Sequence, residues 1–192
     1  MDNKVRIIAG DLKNRPIKIP RDTETRPALV LVRRMVCDTL APDIPDARVL
    51  DLFAGTGAFV FEMISRGAKS AVAVDIERNM TRAIEDNART FGIEEQVTAV
   101  SNDYLRAISN LGRGGRKFDI IIVAPPFYGD YVNKAVMAVQ EEGLLDDRGI
   151  LVAHYYKKDD VNREPEGLEL LKTKSHGKSI IDFFGKKRQG IE

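Results

Sequence analysis

The sequence predicts an α/β fold: a parallel β-sheet covered by helices on both faces and closed by an antiparallel hairpin. Three observations lead there. Short β-rich runs at Arg48–Phe53, Ala71–Asp75, Val97–Ser101, Phe118–Val123 and Ile150–His154 recur at crossover-length intervals, and helical stretches follow the first two. A glycine-rich turn leaves the first run directly. Two further runs, Leu168–Lys174 and Ile180–Phe184, are joined by a link too short for a crossover, so they pair antiparallel.

The elements follow in chain order. Val5–Gly10 and Arg15–Pro20 read as the two short strands of an N-terminal β-hairpin. Pro27 suits the first turn of a helix whose apolar face carries Val32, Val36 and Leu40. Ala41-Pro42-Asp43-Ile44-Pro45-Asp46 then breaks the chain, dividing an extension, residues 1–42, from a main domain, residues 43–192. Within that domain the first helix runs from the glycine turn through Arg66 and the second spans Arg78–Thr90. The stretch Leu111-Gly112-Arg113-Gly114-Gly115-Arg116-Lys117 reads as a flexible loop. Asp146-Asp147-Arg148-Gly149 reads as a turn before the fifth strand. Between the fifth and sixth strands the chain is short and polar, too much so for a full helix.

Composition excludes several function classes. A length of 192 residues with 43% hydrophobic content suits one globular domain with an appendage. One cysteine, Cys37, rules out an internal disulfide and a Cys-rich metal site, and its apolar helical setting marks a core thiol. His154 and His176 lack metal-ligand spacing and read as structural or exposed, so no metal is expected. No apolar run is long enough to span a membrane and no signal-peptide layout opens the chain, so a cytoplasmic protein with no membrane partner is expected. The formal net charge of +1 identifies no partner, but its distribution is uneven. Met1–Arg34 holds nine Lys/Arg against four Asp/Glu, and Lys172–Arg188 six against one. Arg6, Lys13, Arg15 and Lys18 lie on or beside the predicted hairpin, where they can meet nucleic-acid phosphates.

The chemistry concentrates at strand ends. In Val49-Leu50-Asp51-Leu52-Phe53-Ala54-Gly55-Thr56-Gly57 a buried strand enters a tight turn whose glycines admit a ligand close to the backbone. A dinucleotide fingerprint needs a glycine where Val60 stands, and a phosphate-binding lysine is absent. An acidic residue before Gly-x-Gly instead resembles motif I of S-adenosylmethionine-dependent methyltransferases. That likeness implies Asp51 near the cofactor's amino-acid portion, with Phe53, Gly55, Thr56 and Gly57 beside it. Asp75 ends the second strand, where a carboxylate can accept both ribose hydroxyls, and Ile76 can pack on adenine. Asn102-Asp103-Tyr104 follow the third strand at the same edge, suited to the adenine amine. Ala124-Pro125-Pro126-Phe127, after the fourth strand, resembles motif IV of amino methyltransferases, usually Asp/Asn-Pro-Pro-Tyr/Phe. In that motif the polar side chain and the first proline carbonyl receive amine hydrogens while the aromatic ring stacks on the base.

Taken together, the chain resembles the small-subunit ribosomal RNA methyltransferase D family, the 16S rRNA guanine-N2 methyltransferases, over nearly its whole length. Arg6-Ile7-Ile8-Ala9-Gly10 is similar to the family's opening, and Thr25-Arg26-Pro27 with Val32-Arg33 to its second signature. Ser65-Arg66-Gly67-Ala68 and Gly177-Lys178 before Ile180-Ile181-Asp182-Phe183-Phe184 extend the likeness. It implies a Rossmann-like, seven-stranded class I methyltransferase fold with an antiparallel last strand, plus the N-terminal hairpin and helix as RNA contact and cofactor cap. Thr25 and Arg26 would belong to the cofactor site. The implied reaction is methyl transfer from S-adenosylmethionine to the exocyclic N2 of a guanine in ribosomal RNA or the small ribosomal particle, by a monomer. The chain departs from the family at Asn14, usually glycine, at Val30 and Leu31, usually polar, and at Ala124, usually Asp or Asn. Ala124 keeps open a cofactor-binding RNA-binding protein with weak or lost catalysis. Near-neutral charge keeps open a small-molecule methyltransferase.

Overall fold

The computed structural model describes residues 5–20 and 27–187. Seven strands form one sheet: β1 (Arg48–Asp51), β2 (Ser70–Asp75), β3 (Val97–Ser101), β4 (Phe118–Val123), β5 (Leu145–Tyr156), β6 (Leu168–His176) and β7 (Ser179–Lys186). Their spatial order is β3-β2-β1-β4-β5-β7-β6. The first five run parallel and β7 lies antiparallel to both β5 and β6, as expected. Among the described residues five helices flank the sheet: α1 (Pro27–Thr39), α2 (Ala58–Ser65), α3 (Arg78–Phe91), α4 (Tyr104–Arg113) and α5 (Tyr131–Glu141).

Each sheet face carries its own apolar layer. Val49, Ile120, Ile122 and Val152 pack with α1, α2 and α3 on one side. Leu50, Ile121, Val123 and Leu151 pack with α4 and α5 on the other. The strands are therefore apolar on both faces, which is why they read as continuous hydrophobic runs. On α1, Val32 and Val36 are buried as the periodicity predicts, and Leu40 is buried just beyond its end. Cys37 is buried beside them, its thiol pushed up to about 12 chiefly by burial, which keeps it an inert core group.

Four expectations need correction. The N-terminal hairpin is present only as a single antiparallel bridge, Arg6 to Pro16, not as two strands. The main domain takes the donors a ladder would use: Ile8 and Ala9 give their N–H groups to the Glu62 carboxylate at 2.8 and 3.0 Å. Asp11 and Leu12 donate to the carbonyl and hydroxyl of Ser65, and Pro16 has no N–H to offer. The residues from Leu111 to Arg113 are helical, the last turn of α4, so the loop begins only at Gly114. Its amphipathic face, with Ala107 and Ile108 buried, outweighs the glycines that follow. Finally, Asp146–Gly149 lies within β5 as a bulge rather than before it. The register steps from Phe118–Leu145 to Ile120–Ile150, and Arg48 closes the step by bonding both Asp119 and Asp146 at 2.8 Å. The first strand also ends at Asp51 rather than Phe53, because the glycine turn starts earlier.

The extension is tied to the domain by buried contacts. Ile7 and Ile17 are buried in the same apolar layer as α1 and α2. Each such side chain contributes about 1.5–3 kcal/mol by leaving water. Lys18 exchanges two backbone bonds with the buried Asn87 amide of α3, at 2.9 and 2.7 Å. Gly10 (φ 80°) lies so close to Ser65 that a Cβ would fall 1.7 Å from its carbonyl oxygen, which leaves room only for glycine. Asn14 adopts φ 67°, a left-handed conformation that asparagine tolerates better than most residues.

Candidate active site

The strand order reverses between β1 and β4, and in an open α/β sheet the crevice at the carboxyl ends of such strands is where ligands bind. A cavity of about 670 Å³ opens there. Its walls come from the loops after β1, β2, β3 and β4 and from the end of β5, so residues distant in sequence converge on one space.

The end of β1 and its loop place four residues differently. Gly55 (φ 50°) lines the cavity, and a Cβ there would meet nothing within 4 Å, leaving its backbone open to a ligand. Gly57 (φ 74°) does not line it. A Cβ there would strike Ile84 and Phe61 at 2.8 and 2.9 Å, so this glycine serves close helix packing at the start of α2. Thr56 and Asp51 also stand outside the lining. Asp51 is buried behind it, one oxygen accepting the Phe53 N–H at 3.2 Å and Oδ2 left without a partner. Burial, reinforced by the nearby charge of Asp75 against the Phe53 bond, raises its carboxyl to about 7.

Asp75 lines the cavity and already accepts Gly55 N–H at 2.7 Å and Glu77 N–H at 2.9 Å, one on each oxygen. Each oxygen retains a second lone pair, enough for a pair of hydroxyls. Ile76, beside it, is 70% exposed at the rim, an apolar surface without a protein neighbour to cover it. Asp103 caps α4, its Oδ1 accepting Leu105 and Arg106 N–H, and Oδ2 stays available. Asn102 accepts the Asp103 N–H at 2.9 Å and also lines the space. Phe53, Tyr104 and Tyr131 form an aromatic corner with centroids 4.9 to 6.1 Å apart.

Across the cavity, the β4 loop presents Ala124, Pro125, Pro126 and Phe127, all four in the wall. Phe127 stacks on Tyr156 at 5.7 Å and packs against His154 at 5.4 Å. Tyr128 is held at φ 71° and 76% exposed, its ring edge toward Tyr156. The structure thus joins Phe53, Gly55, Asp75, Ile76, Asn102, Asp103, Tyr104 and the Ala124–Phe127 loop in one space. Thr25 and Arg26 lie outside the described residues.

Sequence reasoning missed Met80, Tyr131 and His154, all of which line the cavity. His154 is buried, as a structural histidine would be, but its place at the end of β5 was the signal that it faces the site. His176 is exposed. Burial lowers the His154 imidazole to about 4, so the ring is neutral at neutral pH. Arg6, Lys13, Arg15 and Lys18 are exposed on the extension and none lines the cavity. Arg6 bonds the Asn14 carbonyl at 2.8 Å, and Arg15 lies 5.6 Å from the Phe91 ring centroid. Among the described residues no group of three or more His, Cys, Asp or Glu could hold a metal ion, and no helix is long and apolar enough to cross a membrane.

Residues 5–185 match the protein family described as Conserved hypothetical protein 95. The chain is 27% identical to ribosomal RNA small subunit methyltransferase D of Escherichia coli K12, over 97% of this chain and 92% of that protein. It is 28% identical to the Haemophilus influenzae protein of the same name, over 91% and 90%. Among solved structures, the Escherichia coli protein yhhF superposes with a TM-score of 0.85 at 23% identity, over 97% of this chain and 99% of that one. The sheet order and the antiparallel β7 are those of the class I methyltransferase fold.

Proposed function

The chain belongs to the Conserved hypothetical protein 95 family, and from that membership and the cavity we propose that it methylates ribosomal RNA from S-adenosylmethionine, at the exocyclic N2 of a small-subunit guanine. One observation carries the reading: a single cavity has Asp75 and Asp103 on one wall and the Ala124–Phe127 loop on another. Its volume, about 670 Å³, suits a cofactor-sized ligand.

The residues present fit S-adenosylmethionine. Asp75 has lone pairs for both ribose hydroxyls, Ile76 offers an apolar face for the adenine, and Asp103 Oδ2 can accept its amine. The unpaired Asp51 Oδ2, sealed behind the β1 loop, is the acceptor a cationic α-amino group would need, and it serves once that loop shifts to uncover it. When bound, the cofactor supplies an electrophilic methyl group on a sulfonium.

The chain's own part is to position the amine. The Pro125 carbonyl accepts one amine hydrogen, and the exposed face of Phe127 stacks on an unpaired guanine, a contact worth about 1–3 kcal/mol per base. Holding nitrogen in line with the methyl carbon then supplies much of the rate. The N-terminal extension, residues 1–42, acts as RNA contact and cofactor cap. A second reading, a cofactor-binding RNA-binding protein with weak catalysis, is favoured by Ala124 alone. Tritiated methyl transfer to 30S particles and to naked rRNA, with mapping of the modified nucleotide, decides between them.

Two measurements test the two halves of the site. Asp75→Ala should weaken S-adenosylmethionine binding by about 1.5–3 kcal/mol in calorimetry, the usual worth of hydrogen bonds to a charged group. Unchanged affinity would remove Asp75 from the site. Replacing Arg6, Lys13, Arg15 and Lys18 together with Ala should weaken RNA binding and flatten its salt dependence, since each phosphate contact adds about 0.7–0.9 to the slope. Cofactor affinity should stay unchanged; a constant salt slope would make these side chains ordinary solvated surface.

A further inference from the structure

An aryl amine is a weak nucleophile because its lone pair is delocalised into the ring. Acceptors that hold both of its hydrogens favour the pyramidal nitrogen that attacks. The Pro125 carbonyl can hold one, but Ala124 has no polar atom for the other. The sheet places a substitute beside it. In the parallel β4–β5 register Ile122 faces Val152 and Val123 faces Ala153, so the next residues, Ala124 and His154, are neighbours at the carboxyl edge. Both line the same cavity, and the His154 ring lies against Phe127, the stacking residue, at 5.4 Å.

We infer that His154 supplies the acceptor that Ala124 cannot, first holding an amine hydrogen of the target base and then taking the proton released by methyl transfer. This inference rests on the methyl-transfer reading above. The ring is fixed for the task. Its Nε2 pairs with Ser179 Oγ at 2.9 Å, and among the described residues that is its one hydrogen bond. With the proton on Nε2 donated to Ser179, Nδ1 presents a lone pair. The sealed, unpaired polar atoms among the described residues are Arg33 Nε and Asp51 Oδ2, so Nδ1 is not shut in the core. Among the described residues no charged side chain bears on the imidazole; Phe127 and Ser179 contact the ring, and burial alone keeps it neutral and accepting.

The step balances. The amine nitrogen's lone pair forms the new N–C bond while the C–S bond breaks, its electrons staying on sulfur. Nitrogen is left cationic with one proton too many. That proton passes to Nδ1, and the imidazolium returns it to water. The exocyclic ammonium of a guanine, attached to an electron-withdrawing purine ring, is a much stronger acid than even a buried imidazolium, so the weak basicity of His154 does not obstruct the transfer.

The test is single-turnover methylation of 30S particles or rRNA by wild type, His154→Ala, His154→Gln and Ala124→Asp/His154→Ala. Losing one preorganised contact to the transition state costs about 10²–10³ in rate, so His154→Ala should fall by that factor with RNA and cofactor affinities kept. His154→Gln, which retains an acceptor, should keep more of the rate. The double variant, with a carboxylate restored at position 124, should recover much of it, which a merely structural role for His154 would not allow. Independently of turnover, the His154 imidazole NMR signals should shift when target-site RNA is added with the demethylated cofactor product. A rate within twofold of wild type for His154→Ala, or an unmoved signal on bound RNA, overturns the inference and leaves methyl transfer standing. A wild type inert on every ribosomal substrate overturns both.

Discussion

Glu62→Ala should cost about 3–5 kcal/mol of folding stability, the usual penalty for orphaning a buried charge, and should detach residues 5–20 from the domain. Glu62 is fully buried, yet its carboxylate holds Ile8 and Ala9 N–H, bonds Arg66 at 2.9 Å and faces Arg33 at 3.7 Å. Removing it leaves two backbone donors unpaired and the Arg33 guanidinium, itself 2% exposed, without its counter-charge. A domain of this kind has only about 5–15 kcal/mol in total, so the loss is a large share. Urea denaturation gives the magnitude, and hydrogen exchange at Ile8, Ala9 and Leu12 reports the detachment. A loss under 1 kcal/mol with those amides still protected would show that apolar contacts of Ile7 and Ile17 alone hold the extension. Glu62→Gln, which keeps the acceptor but not the charge, should fall between.

That buried carboxylate also marks where sequence reading stopped. Strands β1 to β4 and the closing hairpin were legible because each is a short apolar run bounded by turn residues, a local property. So were Asp75, Asn102 and Asp103, since any residue just past a parallel strand lies at the ligand edge. Glu62 was invisible because its partners are 53 and 54 residues away and nothing in Ala58–Ser65 announces them. The same blindness turned the N-terminal bridge into a predicted two-strand hairpin. Gly57 was legible as a required glycine but not as a packing one; only the approach of Ile84 and Phe61 separates the two. His154 stood at the end of a legible strand, but its adjacency to Ala124 needed the β4–β5 register, which pairs segments 30 residues apart.

Asp51→Asn should make the protein more stable above neutral pH while weakening its hold on S-adenosylmethionine. The folded carboxyl titrates at about 7 against an ordinary 3.8, so folding is helped fully below 3.8 and the help drains away as pH rises through 7. At pH 8.5 the ionised, buried Asp51 has lost a contribution of order 4 kcal/mol, at about 1.4 kcal/mol per unit of pKa. Asparagine has no charge to bury, so its melting temperature at pH 8.5 should exceed wild type by roughly 5–15 °C, and the gap should shrink by more than half at pH 5. Calorimetric cofactor affinity should meanwhile drop at least about tenfold, the α-amino group having lost a charge-assisted partner. Equal melting temperatures at both pH values would mean that Asp51 is solvated, and would remove it as the amine's partner.

The order of strands has a consequence for how the protein is made. β7 is the last strand in the chain but lies between β5 and β6, with both its edges paired. A growing chain therefore completes β6 before the only strand it bonds to exists. Until Ser179–Lys186 docks, β5 carries an open edge beside Leu151, Ala153 and Tyr155, all of them buried later. An exposed apolar strand edge is what recruits other chains into mispairing. A chain cut off before Ser179 would keep that edge open for good, whereas one cut off before Leu145 would lack the edge altogether.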